Sequence, residues 1–402
     1  MRKFILLFTV TLLLFSCNKD KIYLSEEYSN LKEENVTFRV SPQEAVESLK
    51  LFIGADQSRS AKDVSIQSIK AITTELKSRS ANNSDTLMYV INLSDEQGFA
   101  IMSADKRMEP IFALVDEGNY NPENSSNNPG FNMFMDMAKS YVINTTAKES
   151  NVETYYNPES DGWILRESKG PKVTCKWGQG YPYNIYTPVV NGKQTPVGCV
   201  AVALGMSCEY FFKSNTFNIN EYTIDFSKPH DTTTDLISDF SSAQNIARFL
   251  REIGRNVNMN YQPAGSGASK EDSERFLKNE SKIKYVTGFF NYGDSKTIQY
   301  LYDTLRLTSG GGIVVMGGDN GRVGHMWIID GIKTYLGGEN NKDKYLDLYH
   351  CNWGWEGDKD GWYLQSVYTY NNKIINGGPT VDAPASYPYN MTFCCLTKKK
   401  LY

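Results

Sequence analysis

The stretch best suited to chemistry is TPVGCVAVALGM, residues 195–206, in which one cysteine stands between a turn and a run of small apolar residues. Pro196 and Gly198 indicate the turn, and the apolar run is typical of a buried helix. Cys199 would then occupy the first helical turn, where free N–H groups and the positive end of the helix dipole favour a thiolate. A buried structural cysteine is the alternative, because cysteine beside valine and alanine is commonly that. Cys199 can act as a nucleophile only if the chain also supplies a general base and donors for an oxyanion, so these residues decide between the two interpretations.

Three histidines could supply the base: His230, His325 and His350. His230 lies in a polar Ser-Lys-Pro-His-Asp-Thr loop, and we predict a solvated surface residue there. His325 follows Gly324 and opens a strand-like run, with bare backbone beside it for a substrate to approach. His350 lies two residues before Asn352, and the two therefore share a strand face. The residues alone leave His325 and His350 both open.

Cysteine peptidases usually direct a glutamine side chain and the backbone N–H of the nucleophile at the substrate oxygen that becomes negative. Upstream of Cys199, Gln179 stands between two glycines in WGQGYPYN, residues 177–184. A glutamine between glycines is by itself most often an ordinary loop residue. Gln179 is therefore a candidate donor only in combination with the other residues.

Length and composition limit the class of protein. A chain of 402 residues predicts two domains or one large domain with an appendage. Its 40% hydrophobic and 22% charged residues are those of an ordinary globular protein. The net charge of -4 gives no reason to expect nucleic acid as a partner. Besides Cys17, the cysteines are scattered and form no CxxC pair, so they indicate neither a zinc site nor a dense disulfide framework.

The first residues have the pattern of an export signal. Arg2 and Lys3 precede an apolar run, Phe4–Phe15, that is too short to span a membrane as a stable helix. The run ends in Leu-Phe-Ser-Cys and resembles a bacterial lipoprotein signal, in which Cys17 is lipidated and becomes the new N-terminus. The chain would then be anchored through its lipid, at the outer membrane or the cell surface. A plain secretory signal is the alternative, and both interpretations export the chain.

A small α+β unit is predicted next. Ser41-Pro42-Gln43-Glu44 is a capping box with proline at the first helical position, followed by apolar residues at helical spacing. Runs rich in β-branched and aromatic residues predict an antiparallel meander over 87–93, 98–104 and 110–115, and Phe131–Val142 has the pattern of a helix. The polar stretch Glu149–Lys172 predicts an irregular, accessible boundary that a protease could cut.

The remainder of the chain changes character, with more tryptophan, tyrosine and clustered glycine. The most apolar helix is predicted over Val200–Phe212. Strands separated by Gly, Asn and Asp turns are predicted later, over 312–316, 326–329, 344–353 and 361–364. A helix first and a sheet later is an α+β pattern.

Several short blocks, taken together, resemble the streptopain family of secreted bacterial cysteine peptidases, which share the papain-like fold. The blocks follow the family's order: WGQGYPYN at 177–184, GCVA at 198–201, MNYQP at 259–263, GHMWIIDG at 324–331 and NWGWEG at 352–357. The N-terminal unit resembles the family's propeptide, most clearly in GFAIMSADKR at 98–107. The resemblance implies a two-subdomain peptidase, with a helical part carrying the cysteine and an antiparallel sheet carrying the histidine and asparagine, preceded by a small α+β propeptide domain.

Carried over to this chain, the resemblance implies Cys199 as nucleophile, His325 as base and then acid, Gln179 as oxyanion donor and Asn352 as the residue that orients the imidazole. It thereby favours His325 over His350. Trp353 would shield the histidine–asparagine hydrogen bond from water, and Gly267 and Gly324 align with positions that contact the substrate and its pocket. Position 267 departs from the family member compared, which has serine there, so the polarity of the pocket is open.

The resemblance also implies an organisation in five segments. These are a lipoprotein signal at 1–17, a tether at 18–35, an inhibitory propeptide at 36–148, a cleavable linker at 149–172 and the peptidase at 173–402. The processed peptidase could then be released from the cell.

The implied function is that of an exported zymogen of a cysteine endopeptidase. It would hydrolyse polypeptide substrates with neither a metal nor an organic cofactor, with its own propeptide as an intramolecular inhibitor, and would be activated by propeptide removal. Two alternatives share the fold: a catalytically silent surface adhesin or binding protein, and an amide acyltransferase that forms the same thioester. The complete set of cysteine, histidine, glutamine and asparagine favours an enzyme over the silent protein.

Overall fold

The structure is a computed structural model of the chain, and it describes residues 38–56, 65–74, 85–124, 126–146, 162–228, 240–293, 295–307, 311–337, 344–375 and 389–401. The predicted signal with Cys17, the tether, His230 and residues 149–161 of the predicted linker lie outside the described residues. Within the described part of the chain, no helix is both long enough and apolar enough to cross a membrane.

The first helix, α1 (Pro42–Ala55), begins at the predicted capping box. The Ser41 hydroxyl accepts the backbone N–H of Glu44 at 3.2 Å, and the Glu44 carboxylate accepts the N–H of Ser41 at 2.7 Å. Both bonds satisfy N–H groups that the helix itself leaves free. The apolar face predicted from the spacing is buried: Ala45, Val46, Leu49, Phe52 and Ile53.

Four antiparallel strands follow α1. They are β1 (Ile66–Thr74), β2 (Asp85–Leu93), β3 (Phe99–Ser103) and β4 (Ile111–Val115), and β1 was not predicted. Every residue of β3 and β4 is buried. Phe99 of β3 and Phe112 of β4 pack against Phe131 and Tyr141 of the second helix, α2 (Pro129–Thr146). The predicted meander and the second helix are thus confirmed.

Residues 163–169 differ from the prediction of an irregular boundary. They form a strand, β5 (Trp163–Lys169), which pairs with the long strand β12 (Gly324–Gly337) over residues 332–337. Trp163 is buried and stacks on Phe52 of α1, with ring centroids 5.3 Å apart. The pairing partner lies far along the chain, and a polar edge strand such as β5 has little local signal of its own.

The part of the chain beyond β5 contributes helices and a sheet. The helices are α3 (Cys199–Phe212), α4 (Phe240–Asn256), α5 (Lys270–Asn279), α6 (Ser295–Arg306) and α7 (Gln365–Ile375). Two short hairpins flank α3: β6 (Val189–Val190) with β7 (Lys193–Gln194), and β8 (Thr216–Ile219) with β9 (Tyr222–Asp225). The further strands are β10 (Tyr285–Asn291), β11 (Gly312–Asp319), β13 (Tyr345–Asn352), β14 (Gly361–Leu364) and β15 (Asn390–Thr397).

One antiparallel sheet runs through both parts of the molecule, in the order β1-β2-β3-β4-β14-β13-β12-β11-β15-β10, with β5 also paired to β12. The two parts meet where β4 pairs with β14, at Val115 with Gly361 and Leu114 with Trp362. Helix α3 packs in a core with Val315 of β11 and Ile328 of β12. This packing places the start of α3 beside the start of β12, and the α+β class predicted from the sequence is confirmed.

Candidate active site

A cleft of about 1050 Å³ lies between the N-terminus of α3 and the strands β11 and β12. It is lined by five of the predicted site residues: Gln179, Cys199, Gly267, Gly324 and His325. Asn352 and Trp353 do not line it and are buried behind it. Residues that are up to 146 positions apart in the chain therefore meet at one surface, and they come from helix α3, strand β12 and two loops.

Cys199 is the first residue of α3, as predicted. Gly198 before it has a φ of 93°, and a β-carbon there would stand 2.8 Å from the sulfur of Met259, so both conformation and space require glycine. Cys199 is partly exposed, whereas the other five cysteines of the described residues are buried. Cys199 is thus the one thiol in the described part of the chain that a substrate could reach.

The predicted ionisation of Cys199 is not found in this state of the molecule. Burial raises the pKa of the thiol, and hydrogen bonds from the backbone N–H groups of Met326, Val200 and Cys199 lower it by a smaller amount, so that the pKa lies above its ordinary value. The free N–H groups at the helix start therefore act as expected, but desolvation outweighs them. The neutral thiol is the favoured form here.

His325 is buried at the start of β12, opposite Gly318 of β11. Its Nε2 lies 2.8 Å from the carbonyl oxygen of Trp353. Because a carbonyl only accepts, Nε2 must carry the proton, and Nδ1 then presents its lone pair. Nδ1 has no hydrogen-bond partner among the described residues. Burial lowers the pKa of His325 to about 4, against a smaller opposing effect of the Trp353 carbonyl, so the ring is neutral.

The helix α2 of the N-terminal part lies directly on this histidine. A β-carbon on Gly130 would stand 2.4 Å from Cε3 of Trp353 and 2.7 Å from Cδ2 of His325. Pro129, the residue before, lines the cleft beside Cys199. Neither residue was identified from the sequence, although a Pro-Gly pair at a helix start permits such a close approach.

Asn352 does not bond to His325 in this structure. Its side-chain NH₂ donates to the carbonyl of Cys175 at 3.1 Å, and its side-chain oxygen accepts the N–H of Gly354 at 3.1 Å. The imidazole is held instead by the backbone of the next residue, Trp353. The Trp353 indole is fully buried between Trp327 and Tyr363, with ring centroids 5.1 and 5.0 Å away, and covers the region behind His325.

Gln179 lies on a loop that is tied to the start of α3. Its backbone oxygen accepts the N–H of Val197 at 2.9 Å, two residues before Cys199. Across the cleft, Gly267 forms a two-bond bridge with Asn260, and nothing lies within 4 Å of a β-carbon built on Gly267. The smaller residue at this position thus leaves open space in the cleft.

The structure separates the two histidines that the sequence left open. His350 does not line the cleft, and its Nδ1 lies 2.6 Å from Oδ1 of the buried Asp330. Asp330 belongs to the block at 324–331 that carries the family resemblance, but no role was predicted for it. Among the histidines in the described part of the chain, only His325 lines the cleft with Cys199.

A thiol at a helix N-terminus, facing a histidine from an antiparallel sheet across a cleft, is the arrangement of a papain-like cysteine peptidase. Residues 177–363 match the Peptidase C10 family, and residues 38–142 match the Spi protease inhibitor family. Residues 177–363 therefore belong to the Peptidase C10 family, and the chain is a cysteine-type endopeptidase with an inhibitor-type N-terminal domain.

Relatives agree in sequence and in fold. The chain is 24% identical over 337 residues to streptopain of Streptococcus pyogenes serotype M1, covering 76% of this chain and 78% of that protein. It is 23% identical over 320 residues to the thiol protease/hemagglutinin PrtT of Porphyromonas gingivalis, covering 70% of this chain and 34% of that protein. The structure of a Prevotella intermedia prointerpain A fragment superposes with a TM-score of 0.53 at 22% identity, covering 81% of this chain and 98% of that one. The predicted papain-like fold with a propeptide-like domain is confirmed.

Proposed function

We propose that the chain is an exported zymogen whose peptidase hydrolyses polypeptides through Cys199 and His325. The observation that carries this proposal is the cleft that is lined by the partly exposed Cys199 at the start of α3, by His325 of β12 and by Gln179. A backbone N–H of Met326, the residue after His325, already reaches the sulfur.

In the active form, the Cys199 thiolate beside a His325 imidazolium attacks the carbonyl carbon of a peptide bond. The oxygen becomes negative and is stabilised by the side chain of Gln179 and the backbone N–H of Cys199. His325 then gives its proton to the leaving amine, and the C–N bond breaks. Water hydrolyses the thioester, which returns the thiol and releases the acid. Asn352 takes the role of orienting His325 once the imidazole leaves the Trp353 carbonyl.

The N-terminal part, residues 36–148, acts as the propeptide. Helix α2 lies against His325 and Trp353, and burial keeps the imidazole neutral. The Trp353 carbonyl holds Nε2, and Nδ1 bonds to none of the described residues, Cys199 included. Removal of this part would free the cleft, and His325 could then turn towards Cys199. Inhibition therefore works by holding the base away from the nucleophile and by keeping the Cys199 thiol, whose pKa is raised, in its neutral form.

Activation requires a cut in the linker proposed at 149–172. Residues 163–169 pair with β12, and Lys172 and Val173 also bond to the sheet, so we place the cut before Trp163. The processed peptidase would then keep β5 in addition to the residues 173–402 expected from the sequence. We further propose that residues 1–17 are a signal, that Cys17 is lipidated and that 18–35 form the tether.

The full chain with Cys199→Ala tests the proposal. We expect this variant to fold, to remain uncut and to hydrolyse no casein, whereas the wild-type chain is cut between 149 and 162 and then hydrolyses it. Labelling of Cys199 by an epoxide probe separates a live site from a silent binding protein. A peptide-library assay with an added amine separates hydrolysis from acyl transfer. Casein hydrolysis by the Cys199→Ala protein would refute the assignment.

A further inference from the structure

The strongest cluster of charged groups outside the cleft surrounds Asp330, five residues after His325 on β12. Its carboxylate is fully buried and lies where the register of β12 against β13 shifts, between Ile329 and Gly331. Oδ1 accepts Nδ1–H of His350 at 2.6 Å, and Oδ2 accepts the backbone N–H groups of Lys172 and Val173 at 2.7 and 2.6 Å. Three short bonds to one buried carboxylate make a strong fixed point.

His350 completes this fixed point from the neighbouring strand. It is buried, and its ring meets the face of Trp362 edge-on, with centroids 5.0 Å apart. Burial lowers the pKa of His350, but the charge of Asp330, its hydrogen bond and the charges of Asp360 and Asp116 together raise it by more, so the pKa lies above its ordinary value. The carboxylate thus faces an imidazole donor on one side and two backbone donors on the other.

The segment that begins at Lys172 leads to the oxyanion donor. Residues 170–178 form no helix or strand, so their position depends on individual contacts. After the two bonds to Asp330, the carbonyl of Cys175 accepts the side chain of Asn352 at 3.1 Å, and that of Trp177 accepts the N–H of Glu356 at 3.2 Å. The next attachment is the bond from Val197 to the Gln179 carbonyl at 2.9 Å.

The start of the segment is fixed closely as well. Gly170 has a φ of 88°, and a β-carbon there would stand 2.4 Å from the carbonyl oxygen of Asp330. The chain therefore crosses β12 in contact with its backbone, and only glycine permits this approach. The path from Asp330 to Gln179 is continuous and has no regular hydrogen-bond ladder to replace a lost anchor.

We propose that Asp330 and His350 are positioning residues of the peptidase, which fix residues 172–179 so that the Gln179 side chain points at the substrate oxygen. The inference rests on the proposed role of Gln179 as oxyanion donor. Neither residue touches the substrate. Both act through the backbone of residues 172–179. Their loss should reduce the stabilisation of the transition state without changing the reactivity of the Cys199 thiol.

Asp330→Asn is the direct test, and its activity is measured on the processed enzyme. If the variant does not process itself, a trace of wild-type peptidase is added to cut its linker. An amide cannot accept from all three donors, because its NH₂ group must face either His350 or the two backbone N–H groups. We expect kcat for a peptide substrate to fall about 10- to 100-fold, with KM little changed, because a small displacement of a catalytic group has an effect of that size. The rate at which iodoacetamide alkylates Cys199 should stay within about twofold, since alkylation forms no oxyanion.

A double variant separates this role from a general structural one. If Asp330 acts through Gln179, Gln179→Ala with Asp330→Asn should lose no more activity than Gln179→Ala alone. Losses that multiply, or equal losses in hydrolysis and alkylation, would overturn the inference. A Gln179→Ala enzyme with full activity would instead refute the proposed oxyanion donor, so the two failures are distinguishable.

His350 gives a second test that does not depend on the folding of Asp330→Asn. His350→Asn keeps an N–H donor near the position of Nδ1 and should retain most of the activity, whereas His350→Ala should lose it as Asp330→Asn does. Equal activity of the two variants would contradict the role of the hydrogen bond. Asp347→Asn is the matched control, because Asp347 of β13 bonds to Thr334 at 2.6 Å and not to the segment, and it should leave kcat unchanged.

Discussion

Gly130 of α2 lies against the imidazole of His325, so closely that a β-carbon on Gly130 would stand 2.7 Å from His325 Cδ2. The same β-carbon would stand 2.4 Å from Trp353, whose carbonyl binds the other side of the ring. One glycine of the propeptide therefore contacts both the proposed base and the residue that holds it. Inhibition and the position of the histidine are linked at a single point of contact.

Gly130→Ala should weaken the hold of the propeptide on the peptidase. The added methyl group has no space, and overpacking of this kind typically costs about 1–3 kcal/mol. We expect the free energy of unfolding of the full chain to fall by that amount, measured by urea titration in the Cys199→Ala background so that no self-processing occurs.

Gly162→Ala is the matched control, because nothing lies within 4 Å of a β-carbon at that position, and it should change stability by less than about 0.5 kcal/mol. In the active background, Gly130→Ala should also be processed faster than the wild-type chain. Stability equal to that of Gly162→Ala and processing equal to that of the wild type would show that α2 does not hold the site.

A buried ion pair should stabilise the full chain in a way that depends on both partners. Asp56, just after α1, pairs with Lys333 of β12, with side chains only 11% and 8% exposed. Removal of one partner leaves the other charge in a poorly solvated place, at a typical cost of about 3–5 kcal/mol. Asp56→Ala should therefore strongly destabilise the full chain, measured by urea unfolding in the Cys199→Ala background.

The double variant Asp56→Leu with Lys333→Met should recover most of that loss, because an apolar pair of similar volume avoids desolvation of both charges. Asp85→Ala is the control, since its pair with Arg39 is half-exposed on both sides and should contribute about 1 kcal/mol or less. A double variant as unstable as Asp56→Ala would contradict this account.

The pH dependence of Cys199 alkylation should change on activation. In the full chain, burial raises the pKa of the thiol, so the thiolate and the alkylation rate should rise only above the pH range of an ordinary cysteine. His325, with a pKa of about 4, is neutral above about pH 5 and offers the thiolate no cation there. In the processed enzyme, the free imidazolium should favour the thiolate at neutral pH.

We therefore expect alkylation at pH 7 to be at least about tenfold faster after processing, since one unit of pKa changes the thiolate fraction tenfold. Iodoacetamide labelling of the Cys199 peptide, followed by mass spectrometry from pH 5 to 9, measures both profiles. Identical profiles before and after the cut would mean that the propeptide does not control ionisation of the site.

Gly267→Ser should alter selectivity without affecting stability. A β-carbon at this position meets nothing within 4 Å, so the fold should be unchanged within about 0.5 kcal/mol. The hydroxymethyl group would occupy space in the cleft, and kcat/KM for substrates with the bulkiest side chains should fall about 10-fold relative to small ones. A peptide library that varies the residue before the scissile bond measures this ratio. An unchanged ratio would place the pocket elsewhere.

The parts of this molecule that the sequence predicts are those with strong local patterns. The capping box at Ser41, the apolar run after Cys199 and the glycine before His325 each specify an element through nearby residues. The strand at 163–169 was missed because its pairing partner lies at 332–337, and Ile164 in it is 53% exposed. Local propensity contains no information about a partner so distant in sequence.

The site shows the same division. Cys199, His325 and Gln179 were grouped from the sequence, and all three line one cleft. Their state could not, because the raised pKa of the thiol, the neutral imidazole and the bond to Trp353 arise from burial and from α2. Desolvation depends on what the completed fold places around a group, and no motif encodes it.

The pairing of β4 with β14 has a consequence for the processed enzyme. When the propeptide departs, β14 changes from an interior strand to an edge strand, and the backbone groups that faced Ala113, Leu114 and Val115 become available to another extended chain. This exposed edge makes the free peptidase prone to self-association by strand pairing, although β14, with only four residues, offers a short edge. A charged side chain introduced on this edge strand should keep the free peptidase monomeric.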